Sequence, residues 1–159
     1  MKIRPIQASD WPHILEIQLE CYPQIEPESL SVLQSKWQAS PDTCFVIESQ
    51  SVVIGYCLAH PWLKDSPPSL EQVLANIDSP DTLYLHDIAL SSLSQGKGAG
   101  RQVLTALMNL ALSKGYPSIS LVAVQGAHHY WAKQGFEIKK IDKDLSGYTD
   151  DACYMVYTL

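Results

Sequence analysis

Between Leu83 and Leu104 the chain reads as a strand, a glycine-rich turn and a helix, in that order. Leu83, Leu85 and Ile88 to Leu90 supply a strand-like apolar segment, and Val103, Leu104, Leu107, Leu110 and Ala111 repeat at helical spacing. The turn, Gln95-Gly-Lys-Gly-Ala-Gly100, places three glycines just ahead of that helix. A helix N-terminus leaves backbone N–H groups without intrahelical partners and carries partial positive charge. Residues without side chains let an anion sit directly on those amides, so the run predicts a phosphate-bearing ligand. The plain alternative is a Gly-rich turn that joins a strand to a helix.

Spacing argues against two phosphate sites. A nucleoside-triphosphate loop needs Lys and then Ser or Thr after its last glycines, whereas Gly100 is followed by Arg101 and Gln102. A dinucleotide fingerprint needs Gly-x-Gly-x-x-Gly and an acidic residue near the end of the next strand. Here the glycines are Gly96, Gly98 and Gly100, and the next strand, near Ser118 to Val124, runs into Gln125.

A length of 159 residues with 46% apolar side chains fits one domain, 1–159, with one sizeable core. No apolar run approaches the roughly 18 residues of a membrane span. The start, Met1-Lys-Ile-Arg-Pro-Ile, lacks the apolar segment of a secretory signal, and the four cysteines form no C-x-x-C pair. Both features predict a cytoplasmic protein with free thiols. A net charge of −6 without a Lys/Arg cluster argues against nucleic acid as a partner, and no membrane partner is expected. The acidity suits a cationic amine, although mild acidity also serves solubility alone.

Along the chain, the patterning predicts the order β-α-α-β-β-loop-β-α-β-α-β-β, an α/β (α+β) mixed sheet with helices on both faces. Ile3 to Ile6 forms a first strand, and Ser9-Asp10 before Pro12 starts a helix. A second helix is expected from about Pro27. Strands 44–47 and 52–59 flank a hairpin turn at Glu48 to Ser51, with a bulge near Gly55. His60 to Ser69 should break the pattern and open a long loop, with a short helix over 70–76. Its prolines predict a fixed wall more than a mobile lid, and a surface excursion without contact to substrate is the plain alternative. Gly115 and Pro117 end the main helix. Strand 119–124, helix 127–133 and strands near 136–141 and 152–157 complete the domain. His128-His129 lack the i, i+4 partner of a helical metal site, so no metal is expected.

Gln95-Gly96-Lys97-Gly98-Ala99-Gly100 resembles the Gln/Arg-x-x-Gly-x-Gly/Ala signature of the GNAT superfamily of N-acetyltransferases. Ile88-Ala89-Leu90 stands where that superfamily has its central strand, and Ala127 to Phe136 is similar to its Ala-x-x-(Phe)-Tyr-x-x-x-Gly-Phe element. The likeness spans roughly residues 1–159 and is most specific over 83–136. It implies a GNAT-like single domain and acetyl-CoA as co-substrate. The cofactor residues it implies are Ile88, Ala89, Leu90, Gln95, Gly96, Lys97, Gly98, Ala99, Gly100, Arg101, Gln125 and Trp131. The central strand would pair with the pantetheine arm and polarise the thioester, at an opening where a bulge splays it from its neighbour. The long loop would lie beside the acceptor.

Acetyl transfer to an amine also needs a base and gains from an acid. His86 and Asp87 precede the implied cofactor strand, and histidine titrates near neutral pH. Strand alternation would point the two to opposite faces unless a bulge intervenes. A core histidine and a structural carboxylate are the plain alternatives, and Glu20, His60 and Tyr84 are further candidates for the base. The superfamily's tyrosine, four residues before the glycine of Gly-Phe, is Trp131 here, and indole cannot protonate a thiolate. Tyr130 is adjacent, Tyr154 and Tyr84 are other phenols, and departure without direct protonation is the remaining route. The expected function is therefore transfer of acetyl from acetyl-CoA to a primary amine of a small molecule, peptide or protein. A non-catalytic acyl-CoA-binding module, or an acyltransferase with another acceptor or chain, is the alternative. Dimerisation is common in such small folds, and a homodimer is carried as an expectation.

Overall fold

The computed structural model describes residues 1–70, 72–74 and 77–159. A seven-stranded mixed sheet runs in the order β1-β2-β3-β4-β5-β7-β6. Its strands are β1 (Lys2–Pro5), β2 (Cys44–Ser49), β3 (Val52–Trp62), β4 (Thr82–Leu90), β5 (Ser118–Ala123), β6 (Glu137–Ile138) and β7 (Cys153–Thr158). The helices are α1 (Trp11–Cys21), α2 (Leu30–Ala39), α3 (Ala99–Ser113) and α4 (His128–Lys133). This is the expected order of elements.

Alternation along the central strands feeds two cores, one on each face of the sheet. Phe45, Ile47, Leu83 and Leu85 pack with Val103 and Leu107 of α3 and Trp131 of α4. Val46, Tyr56 and Leu58 pack with Trp11 and Ile14 of α1 and Leu33 of α2.

Several boundaries differ from the sequence reading. β3 runs through His60 and Pro61 to Trp62, where a break was expected. Pairing with β2 ends at Leu58, so further on β3 has β4 on one side only, and the missing N–H of Pro61 costs no ladder bond there. α2 begins at Leu30, after Pro27, because Ser29 accepts the Val32 N–H as its cap. β6 is two residues long. Of the helix expected over 70–76, residues 71, 75 and 76 lie outside the described residues, and 72–74 are not helical. Gln50 and Ser51 take φ of 51° and 65°, the left-handed pair of a two-residue hairpin turn.

Two irregularities shape the centre of the sheet. In β4, Asp87 opposes Leu58 while Leu85 opposes Ala59, so His86 is an extra residue, a bulge. β4 and β5 run parallel but pair only at Leu83↔Ile119 and Tyr84↔Ser120. Thr82 Oγ1 lies 2.9 Å from Ser118 Oγ and 3.1 Å from Ser120 Oγ, a buried hydroxyl cluster that pins this closed end. Further on the strands part.

Candidate active site

The parted strands enclose a cleft of about 300 Å³. Ile88 and Leu90 of β4, Leu121 to Gln125 at the end of β5, and Tyr130 and Trp131 of α4 line it. Backbone phase decides which polar groups face inward. Ser91 N donates to Ile54 O at 2.8 Å, so Ala89 also turns its N–H and carbonyl toward β3. Ile88 and Leu90 turn theirs toward the opening. Their carbonyls accept from Tyr22 Oη at 3.2 Å and Cys21 Sγ at 3.3 Å. The side chain of Ala89 lies in the α1–α2 core, so Ala89 presents nothing to the cleft.

At one end the cleft meets a wider hollow at the start of α3, lined by Leu90, Gln95, Gly98 to Arg101 and Tyr130. Gly96 and Gly98 have φ of 77° and 67°, and no atom lies within 4 Å of where a Cβ would stand. The backbone there is in the left-handed region that glycine tolerates, and it is bare toward solvent. Lys97 reaches sideways to Ser49 Oγ at 3.2 Å. Tyr130, half-exposed, puts its hydroxyl 2.9 Å from the Cβ position of Gly100, and burial raises its pKa. Trp131 is buried, edge-on to Phe136 with ring centroids 5.3 Å apart. Gln125 takes φ of 55°, and its N–H and that of Gly126 are held by the Asp151 carboxylate at 3.3 and 2.6 Å.

At the other end the cleft shares Tyr22, His86, Asp87, Val122 and Val124 with a smaller pocket of about 70 Å³. The β4 bulge brings His86 and Asp87 to one side of the sheet despite their adjacency. His86 Nε2 lies 2.6 Å from Glu28 Oε1, with the two side chains 2% and 8% exposed. Its Nδ1 is enclosed without a hydrogen-bond partner among the described residues. Both Asp87 oxygens accept phenols, Tyr22 at 2.5 Å and Tyr56 at 2.5 Å. Burial raises the Asp87 pKa, against the charge of His86 and the two phenols. Burial also lifts both phenols well above their ordinary value, and the Asp87 charge adds to it. His60 packs beside these groups, its ring centroid 6.5 Å from that of His86, and burial pushes its pKa down to about 3. Tyr84 is buried, 3.3 Å from the hydroxyl of Tyr148, and Tyr154 accepts the Asp65 N–H at 2.8 Å. Glu20 caps Ser92 N at 3.1 Å, outside this pocket.

The family model for the acetyltransferase (GNAT) family matches residues 11–136. The chain belongs to the GNAT family. Solved structures share the fold over nearly the whole chain. A GNAT-like decarboxylase, GphF, in complex with isobutyryl-CoA matches with TM-score 0.81 at 14% identity, covering 99% of each chain. A GNAT family acetyltransferase from Elizabethkingia anophelis with acetyl-CoA bound gives 0.69 at 17% identity, covering 99% of this chain and 97% of that one. The ribosomal-protein-S18-alanine N-acetyltransferase from Escherichia coli gives 0.67 at 17%, covering 99% and 92%. No curated protein matches the chain by sequence.

Four residues of this GNAT site carry no motif. Tyr22 and Glu28 come from the segment between α1 and α2, 65 and 58 positions from their partners Asp87 and His86. Tyr56 lies on β3, and Tyr148 lies between β6 and β7. Among the described residues, no group of three or more His, Cys, Asp or Glu is placed to hold a metal ion.

Proposed function

We propose that the chain is an acetyl-CoA-dependent N-acetyltransferase acting on a primary amine. One observation carries the reading: three adjoining cavities that share lining residues run from the bare helix N-terminus, through the split between β4 and β5, to the pocket at His86. The residues present suit a CoA ligand. Bare amides before α3 fit its phosphates, and the inward backbone groups of Ile88 and Leu90 fit an extended arm with amides of its own. Acetyl-CoA supplies the acetyl group activated as a thioester.

The chain's own residues then divide the work. The N–H groups of Ile88 and Leu90 stabilise negative charge where the acyl oxygen lies. The His86–Glu28 pair takes up the proton that the acceptor ammonium must lose. Asp87, with both oxygens engaged, orients Tyr22 at the junction of cleft and pocket. Tyr130, beside Gly100, would lie nearer the phosphates of a CoA seated on the amides before α3 than its thioester.

Incubation with acetyl-CoA and a panel of amines should release free CoA thiol. His86→Ala should lower kcat/KM by about 100-fold while leaving CoA affinity near wild type. Trp131 in place of the usual tyrosine favours a second reading, a module that binds acyl-CoA without turnover. Saturable CoA binding without thiol release from any amine would establish that reading and sink the first.

A further inference from the structure

The small pocket at His86 has walls that are fastened in place. The segment between β3 and β4 is tied to the segment between β6 and β7 at three points and to β7 itself at a fourth. Asp65 N donates to Tyr154 Oη at 2.8 Å, and Lys139 Nζ meets the Asp65 carboxylate at 2.6 Å. Lys143 Nζ donates to Pro67 O, and Tyr148 Oη donates to Pro68 O. Further along the same proline-rich segment, Lys36 Nζ holds Gln72 O at 2.7 Å, and Ser35 Oγ accepts Leu74 N–H at 3.1 Å. Leu70 and Tyr148, one from each fastened segment, therefore bound the pocket as fixed walls.

The space inside is about 70 Å³. A water needs roughly 10–15 Å³ of such space, so a ligand of about half a dozen non-hydrogen atoms fills it. Its chemistry has two parts. Ile25, Leu70, Val122 and Val124 give an apolar lining, while Glu26 and the Glu28–His86 pair give a carboxylate side. Asp87 is committed to Tyr22 and Tyr56. Among the described residues no lysine or arginine lines the pocket, and the cationic partner they offer a ligand carboxylate is the Glu28-paired histidine.

We infer that the acceptor is a compact, carboxylate-free primary amine, cationic when free, that fits whole into this pocket with its ammonium against Glu28. It is neither an amino acid nor the N-terminus of a polypeptide. The inference rests on the proposed acetyltransferase activity and names its substrate class. Glu28 recognises the ammonium, and Leu70 and Tyr148 limit its length.

CoA thiol release with acetyl-CoA tests this in the full chain. Ethanolamine and propylamine are compared with glycine, with hexylamine and with a tetrapeptide bearing N-terminal glycine. The compact amines should exceed the other three by tenfold or more in kcat/KM. Glu28→Gln should raise KM for propylamine by tenfold or more while CoA affinity holds. Leu70→Ala should shift preference toward hexylamine. Turnover of glycine or the peptide at rates equal to the compact amines would overturn the inference and leave the acetyltransferase standing. Unchanged propylamine KM in folded Glu28→Gln would remove the ammonium role. Saturable CoA binding with no thiol release from any acceptor would overturn the activity and the substrate class together.

Discussion

Two carboxylates in this chain respond to pH in opposite directions, because their surroundings differ. Arg4 donates to both oxygens of Asp10 at 2.8 Å and reaches Glu48 at 2.6 Å, tying β1 to β2 and to the start of α1. That hydrogen bonding holds the Asp10 carboxyl below its ordinary range, against the effect of burial. A depressed folded pKa contributes stability above the unfolded value, near 3.9, and loses it as pH falls through the folded value. Arg4→Ala strands this carboxylate and should cost on the order of 3 kcal/mol at neutral pH, read from the urea midpoint. The loss should shrink in acid, where Asp10 is protonated in both folded and unfolded protein. Among the described residues no cation hydrogen-bonds to Asp87, and burial raises its pKa. Its folded form holds the proton more tightly, so stability falls as pH rises from the unfolded value through the raised one. Relative to wild type, Asp87→Asn should therefore gain stability as pH climbs from about 4. A constant offset at every pH would show that Asp87 does not titrate in this window. Neither pairing was legible in the sequence. Arg4–Asp10 spans six positions and follows no periodic rule, and Tyr22 and Tyr56 reach Asp87 from 65 and 31 positions away.

At the scale of elements, local patterning was the better guide, and its failures have local causes. Helical apolar spacing placed α3, and apolar, β-branched runs placed β2, β4 and β5. β3 extends through Pro61 because that stretch lacks a partner on the β2 side, a tertiary fact invisible in a proline-containing run. β6 shrinks to two residues because only Glu137 and Ile138 pair with β7. The sequence placed His86 and Asp87 side by side on a strand, and the β4 bulge is what turns them to one side. Gly55 sits opposite the far end of the same strand, beside a second irregularity where Glu48 opposes Val53 and Ile47 opposes Gly55. A Cβ there would stand 2.7 Å from Leu90 Cδ2 and 3.0 Å from Ala89 O. The oxygen is backbone and cannot swing away, so Gly55→Ala must displace the end of β4. A loss of about 1–3 kcal/mol is expected, the usual cost of overpacking. Because Leu90 borders the cleft, weaker CoA binding should accompany it. Gly98→Ala meets open space instead, and its cost is the backbone strain of the left-handed region, about 1–2 kcal/mol. Unaltered urea midpoint and CoA affinity in Gly55→Ala would show that β4 yields freely at this point.

Across the whole molecule the sheet is joined at its middle by a short parallel pairing, pinned by Thr82, Ser118 and Ser120, and then left open. A ligand that spans the opening would touch β4, the end of β5 and the start of α3 at once, and would link parts of the sheet that share few direct bonds. Binding to the folded form alone stabilises by RT ln(1 + [L]/Kd), about 2.7 kcal/mol at one hundred times Kd. For a domain of this size each kcal/mol moves Tm by roughly 2–4 °C. CoA at that excess should therefore raise Tm by about 5–10 °C. Two controls separate the contributions along the adjoining cavities. Pantetheine, which lacks the nucleotide and its phosphates, should give a smaller shift at equal concentration, because the amides before α3 then go unused. Gly98→Val, with its side chain over those amides, should weaken CoA at least tenfold, about 1.4 kcal/mol, and remove several degrees of the shift at fixed CoA. Pantetheine should shift this variant as much as it shifts wild type. A CoA shift of the same size in folded Gly98→Val would place the phosphates elsewhere on the molecule. An equal loss of the pantetheine and CoA shifts would instead mean that the substitution had closed the cleft itself.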